Sequence, residues 1–385
     1  MNPERELTIL LALKDRVPFT RRWMAYANRV RLPFHVCIAD GGSDDASERM
    51  LADRAAFPHV SYEYARYPRD TSYTDYWTKV ADALSRVRTE FVALIDNDDL
   101  VVVSGARRAV DFLAAHPDHA SCGGQCAIFW VTPGGGDADE RLCYGSDVRW
   151  KYSLDAHSLA QDTARARIRH HSRRATNTAH YHVRRTAELR RQAEIIRDLD
   201  IKDPFVIERL LFFLTATAGK IEQLDTVYIA RQWNAPGSDG LAHEAKYGDW
   251  LGRMLSPSWS RDFTNFVRVA SEALADADRI PLDEARRSVV ELYRMWVAPQ
   301  MLGDVLAEPT VTLSMPIVLL VVHRLLGRSP DSMIRRLARA AYRRTRWISV
   351  DALHATELRA RRVADADAAF LPIRAFLTGG SRPGV

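Results

Sequence analysis

The chain has little of what would mark it for export or for a membrane. Only four cysteines occur in 385 residues, Cys37, Cys122, Cys126 and Cys143. None stands in a Cys-x-x-Cys pair, so neither a zinc site nor a disulfide framework is indicated. They are read as reduced and buried, which makes the cytoplasm the expected compartment. The longest strongly apolar run, Ile317 to Val322, falls far short of the ~20 residues that span a bilayer. The charged opening Met1-Asn-Pro-Glu-Arg-Glu lacks the apolar stretch of a signal peptide. Two nucleotide signatures are missing as well. No G-x-G-x-x-G follows the first apolar run, which argues against a dinucleotide oxidoreductase. No G-x-x-x-x-G-K-[ST] occurs, which argues against a P-loop. The many arginines come without a zinc knuckle, an RRM signature or a recognition-helix pattern, so nucleic acid is not an expected partner.

What is present describes an ordinary soluble globular chain, 47% hydrophobic and 27% charged. Its length suggests about two domains. The formal net charge of +5 favours an anionic partner without choosing among nucleotides, phospholipids and acidic glycans.

Leu7 to Leu13 is a near-continuous apolar run, the pattern of a central parallel strand. Thr20 can cap a helix over about residues 21–31, with Phe19, Trp23, Ala27 and Val30 at helical spacing. Phe34 to Ala39 reads as a second strand running into Asp40-Gly41-Gly42-Ser43-Asp44-Asp45. The glycines allow a tight turn there, and Ser43 is an N-cap candidate for a helix to about Phe57. His59 to Ala65 alternates as a strand, and residues 72–88 place Tyr76, Trp77, Val80, Leu84 and Val87 on one helical face. Phe91 to Ile95 closes a β-α-β-α-β-α-β series, the signature of a mostly parallel sheet with helices on both faces.

Asp96-Asn97-Asp98-Asp99 follows that last strand at once. Both acidic clusters, at Asp40 and at Asp96 to Asp99, therefore emerge on the carboxyl edge, where open α/β sheets bind ligands. Packed carboxylates repel one another unless a cation sits among them. Hard oxygen donors suit Mg²⁺ or Mn²⁺ bridged to substrate phosphates. A solvated acidic turn is the plain alternative.

With these segments the chain resembles the family 2 glycosyltransferases of the GT-A fold. The carriers are TILLALKDR, IADGGSDDAS, FVALIDNDDL, NTAHYHVRRTAEL and VIERLLFFLTATAGKIEQL, spread over roughly residues 7–235. The resemblance implies a GT-A-type α/β domain over residues 1–240, with a donor half to about residue 100 and an acceptor half beyond. A helical C-terminal domain over 241–378 and a disordered tail over 379–385 complete the expected organisation. It further implies a nucleotide-sugar donor, with a UDP-sugar expected, and a Mn²⁺ or Mg²⁺ cofactor. The acceptor would be a glycan, a lipid-linked sugar or a protein hydroxyl. Asp40 takes the place of the aspartate that contacts base or ribose. Lys14 and Arg16 belong to the donor loop, which lacks the family's commoner threonine-rich form. Asp96 would face ribose and metal and Asp98 would ligate the metal, with Asp99 competing for that role. Arg231 would meet phosphate, and His243 stands where a late metal ligand is found. Glu208, aligned on the Ala218-Gly219-Lys220 turn, takes the place of the base that deprotonates the acceptor. The bland reading of Glu208 is an exposed carboxylate near a helix N-terminus. A catalytically silent nucleotide- or glycan-binding scaffold of the same fold is the rival function.

Further along, Gly123 to Val131 is an apolar strand with a return strand after the turn at Thr132 to Gly136. Residues 151–176, rich in Arg and His, read as a long loop, either a lid or a solvated segment. Thr178 to Val183 alternates as a strand with His180 and His182 on one face and Tyr181 on the other. Residues 204–218 form a helix opening at Asp203-Pro204. Ile221 to Leu224 and Val227 to Ala230 finish the sheet, and mostly helices follow. Met333 to Trp347 carries six arginines opposite an apolar face. That pattern suits peripheral contact with the inner face of an anionic membrane, and equally a domain helix with a solvated basic face.

Overall fold

The computed structural model describes residues 7–133, 140–153, 157–172, 179–236, 245–246, 248, 250–307 and 366–379. The first half runs β1 (Leu7–Leu13), α1 (Val17–Arg29), β2 (His35–Asp40), α2 (Ala46–Ala52), β3 (Tyr62–Arg66), α3 (Tyr73–Arg86) and β4 (Phe91–Ile95). Then come β5 (Asp99–Val101), α4 (Val103–Ala115), β6 (His119–Pro133), β7 (Gly145–Ser153), α5 (Ala164–Ser172), β8 (Val183–Arg185), α6 (Thr186–Leu199), α7 (Pro204–Ala218) and β9 (Lys220–Gln232). The described remainder is helical: α8 (Trp250–Met254), α9 (Trp259–Asp278), α10 (Leu282–Ala307) and α11 (Ala366–Thr378).

One nine-stranded mixed sheet runs β3-β2-β1-β4-β8-β6-β9-β5, with β7 paired to β6. Its first half is parallel, β1 lying between β2 and β4. Helices cover both faces, as the β-α alternation requires. In β1, Leu7, Ile9, Leu11 and Leu13 enter the core beside α1, α4 and α11. Leu10 and Ala12 enter the core beside α3, α7, α9 and α10. A strand buried on both faces has no room for alternation, which explains the continuous apolar run. Among the described residues, no helix is long and apolar enough to cross a membrane. The basic stretch Met333 to Trp347 lies outside the described residues.

Several local expectations are corrected. α1 starts at Val17, before Thr20, because Arg16 takes a left-handed conformation (φ 60°) and Pro18 suits the first turn. Thr20 is buried and accepts a hydrogen bond from Asn97 Nδ2 at 3.0 Å. Asp45, not Ser43, precedes α2, which ends at Ala52. Residues 151–176 are no single loop: β7 continues to Ser153, and α5 buries Arg167 and His171 against its neighbours. Ala179–Tyr181 forms one 3₁₀ turn rather than a strand, so His180 and His182 do not share a strand face. The two short strands expected over 221–230 are one strand, β9. By contrast α3 opens with a full capping box, Ser72 and Asp75 exchanging side-chain bonds with each other's backbone N–H.

Candidate active site

Three strand ends meet at the carboxyl edge. β2 ends in Asp40, whose Oδ1 accepts from Gly42 N at 2.8 Å and whose Oδ2 accepts from the Tyr64 hydroxyl at 2.8 Å. The Arg66 guanidinium stands 3.9 Å away. The loop after β1 docks on this turn, since Asp15 Oδ1 accepts from both the backbone N–H and the hydroxyl of Ser43 at 2.7 Å. Gly41 has no room for a side chain: a Cβ would lie 2.3 Å from Asp70 Oδ1. Asp70 cannot retreat, because it forms a buried ion pair with Lys79, which also donates to Leu13 O at 2.7 Å. Lys14 stands close enough for its charge to bear on Asp15 and Asp70.

The DNDD segment lies at the end of β4. Asp96, Asp98 and Asp99 each bring a carboxylate oxygen to within 4.8 Å of the others. Asn97 turns away, donating to Thr20 and to Arg16 O. Asp99 is 1% exposed and Asp98 9%. Burial, and then the neighbouring carboxylates against the opposing arginines, push Asp96 and Asp99 above the ordinary carboxylate range. Two cations stand at the rim. The Arg16 guanidinium lies 3.1 Å from Asp98 Oδ2, and Arg231 Nε donates to Asp99 Oδ2 at 2.9 Å. The register explains the second contact, since Asp99 faces Arg231 across the β5–β9 pair.

Tyr181 joins the group, a residue the sequence reading placed on the wrong face of a strand. Its hydroxyl donates to Asp96 Oδ2 at 2.8 Å and accepts from Arg231 Nη2 at 2.8 Å, with that guanidinium 4.2 Å over its ring. Tyr228 holds the turn by donating to Tyr181 O at 2.9 Å. Buried Arg22 fixes the other side, donating to Asp98 O at 3.0 Å and Cys143 O at 3.2 Å. No spacing rule announces either residue, because both act through contacts between distant segments.

The donor set fits a hard divalent cation. Three carboxylates, all oxygen donors, crowd one spot at the end of a strand, the kind of ligand set such an ion takes. Asp96, Asp98 and Asp99 are the residues that would hold Mn²⁺ or Mg²⁺. His243 lies outside the described residues.

Glu208 sits in the second turn of α7. The residue is exposed on α7. Desolvation by the neighbouring protein raises its pKa; Arg209, Arg231 and Arg253 oppose this, and Asp96 adds to it. Glu208 and the acidic group thus share one electrostatic environment. Asp203 does other work. It is 1% exposed, caps α7 by accepting from Phe205 N at 2.9 Å and Val206 N at 3.0 Å, and pairs with Arg253 at 2.8 Å. Behind the site, burial and then the Arg184 charge lower His180 and His182 to about 3, so both are neutral at pH 7.

No family model matches the chain, and no curated protein matches it. Among solved structures, the chain is similar to S. aureus TarS. The structure of TarS residues 1–349 in complex with UDP-GlcNAc aligns with a TM-score of 0.48 at 14% identity, covering 80% of this chain and 76% of that one. The complex with UDP aligns with a TM-score of 0.46 at the same identity and coverage. A further TarS structure aligns with a TM-score of 0.40 at 14% identity, covering 76% of this chain, which spans 55% of that chain's length. Likeness of this degree carries no argument about function.

Proposed function

We propose that this chain is a metal-dependent, inverting glycosyltransferase of the GT-A fold and the family 2 type, acting on a nucleotide-diphosphate sugar, with UDP as the expected nucleotide. The observation that carries the reading is the juxtaposition at the carboxyl edge. The carboxylates of Asp96, Asp98 and Asp99 crowd one spot at the end of β4, and Glu208 of α7 lies near enough for the Asp96 charge to bear on it. One side can hold a metal and diphosphate, and the other can accept a proton.

In the reaction, the Glu208 carboxylate takes the proton of the acceptor hydroxyl as that oxygen attacks the anomeric carbon. The bond from that carbon to the diphosphate breaks as the new one forms, which inverts the centre. A base of raised pKa transfers protons efficiently near neutral pH. Asp96, Asp98 and Asp99 would hold the metal, which when bound would supply Lewis-acid stabilisation of the departing diphosphate. Arg16 and Arg231, each paired with a carboxylate of the acidic group, are the cations that would meet the phosphates. Asp40, held by Gly42 N and the Tyr64 hydroxyl at the end of β2, is the residue that would meet the base or ribose. The acceptor is a hydroxyl of a glycan, a lipid-linked sugar or a protein.

The test is nucleotide binding by calorimetry with the parent and Asp98→Asn. UDP should bind the parent with Mn²⁺, and the variant should lose the metal-dependent part while unfolding at the same temperature. A variant that binds UDP–Mn²⁺ as tightly as the parent removes Asp98 from the site. Slow UDP release from a UDP-sugar by the parent separates an enzyme from a silent binding scaffold.

A further inference from the structure

We propose that Arg16 and Arg231 act as resident counter-cations of the acidic group and change partners when ligand arrives, so that metal and nucleotide diphosphate bind cooperatively rather than independently. This rests on the metal–diphosphate reading above. Each guanidinium already occupies a carboxylate a metal would need: Arg16 at Asp98, 3.1 Å, and Arg231 at Asp99, 2.9 Å. Three clustered carboxylates face two cations, so the ligand-free group is nearly neutral. A divalent ion entering alone would leave excess positive charge between the two arginines. A diphosphate entering alone would meet three carboxylates. Together the two ligands cancel, the metal taking the carboxylates and the arginines turning to the phosphate oxygens, which guanidinium groups bind well.

Both arginines reach solvent at the rim of the site. The Arg231 side chain is 42% exposed at the rim and the Arg16 side chain 21%. Arg16 stands 3.1 Å from Asp98 Oδ2 with its guanidinium 4.5 Å over the Phe19 ring, and its Nε and Nη2, buried, make no hydrogen bond, so a turn of the side chain would give them to a phosphate at no cost in bonds. Arg231 keeps a second hold on the Tyr181 hydroxyl through Nη2 at 2.8 Å, with its guanidinium 4.2 Å over the ring. It can therefore leave Asp99 without leaving the site. Because coupling between two ligands is reciprocal, the same exchange must strengthen each in the presence of the other.

The experiment is Mn²⁺ titration of the full chain, followed by calorimetry and by the paramagnetic signal of free Mn²⁺, with and without UDP. In the parent, Mn²⁺ alone should bind weakly and UDP should tighten it ~10-fold or more. Arg231→Gln should bind bare Mn²⁺ ~10-fold more tightly than the parent, since it removes a cation beside the metal position, and should lose most of the gain from UDP. Arg231→Lys keeps the charge and should keep bare Mn²⁺ weak. Arg16→Gln should repeat the Arg231→Gln pattern and serves if the other variant does not fold. Equal Mn²⁺ affinity with and without UDP in the parent overturns the exchange, as does unchanged or weaker bare-Mn²⁺ binding in folded glutamine variants. In both cases the metal–diphosphate reading survives. No Mn²⁺ binding by the parent even with UDP overturns that reading and the exchange with it.

Discussion

Asp203→Ala separates the residue that builds α7 from Glu208, the proposed base on the same helix. Asp203 Oδ1 caps α7 through Phe205 N and Val206 N, and both carboxylate oxygens face Arg253, at 2.8 and 3.3 Å. Loss of a cap costs ~1 kcal/mol. The larger effect is on Arg253, which is 3% exposed and lies 3.7 Å over the Phe205 ring and 4.0 Å over the Trp250 ring. Removing one partner of a buried ion pair strands the other, at ~3–5 kcal/mol. The expected loss is therefore ~4–6 kcal/mol, a large share of the stability of an ordinary domain. Urea unfolding at pH 7 measures it as a fall in midpoint at constant slope. Asp203→Ala combined with Arg253→Met should be less destabilised than the sum of the single variants, because no buried charge is left unpaired. A loss under ~1 kcal/mol for Asp203→Ala, or strict additivity in the double variant, would refute the buried-pair argument.

Glu208→Gln keeps size and polarity and removes basicity. Turnover should fall ~10²–10⁴-fold with donor affinity little changed, and near-normal transfer would mean that another group is the base. Stability should also fall in acid. His180 and His182 are held at about 3 in the folded chain against an ordinary value of 6.5. The unfolded chain therefore takes up protons first, and stability declines as pH drops from about 6.5 towards about 3. Replacing both histidines with glutamine should flatten urea stability over that range, and an unchanged pH dependence would contradict the assignment.

The strands that position the site were legible because burial on both faces leaves an unmistakable mark. LTILLAL and FVALI could only be central strands, and their ends had to share one edge. α3 announced itself through Tyr76, Trp77, Val80, Leu84 and Val87 on one helical face. The failures share a cause: polar residues buried by partners distant in sequence look like loop. Arg167 donates to the carbonyls of Ala216, Gln161 and Asp162, and His171 stacks on Phe212 at 3.9 Å. The segment around them therefore read as a long loop, either a lid or a solvated segment, though Ala164–Ser172 forms α5. Tyr181 was missed because alternation around His180 and His182 imitates a strand where the chain makes a turn. The α1 start was misplaced because the left-handed Arg16 needs no capping side chain to announce it. α11 left no signal of its docking: Phe370 stacks on Trp150 at 4.5 Å, a contact that spans more than two hundred residues of sequence.

The central claim is that the acidic group at the end of β4 holds a divalent metal against a nucleotide diphosphate. A crystal of the chain grown with UDP and Mn²⁺, with diffraction recorded at the manganese absorption edge, tests it most directly. The account predicts one strong anomalous peak in ligating contact with Asp98 and the diphosphate, bordered by Asp96 and Asp99, with the uridine near Asp40. Ordered UDP at that edge with no manganese peak, or a peak held by other residues, would contradict it.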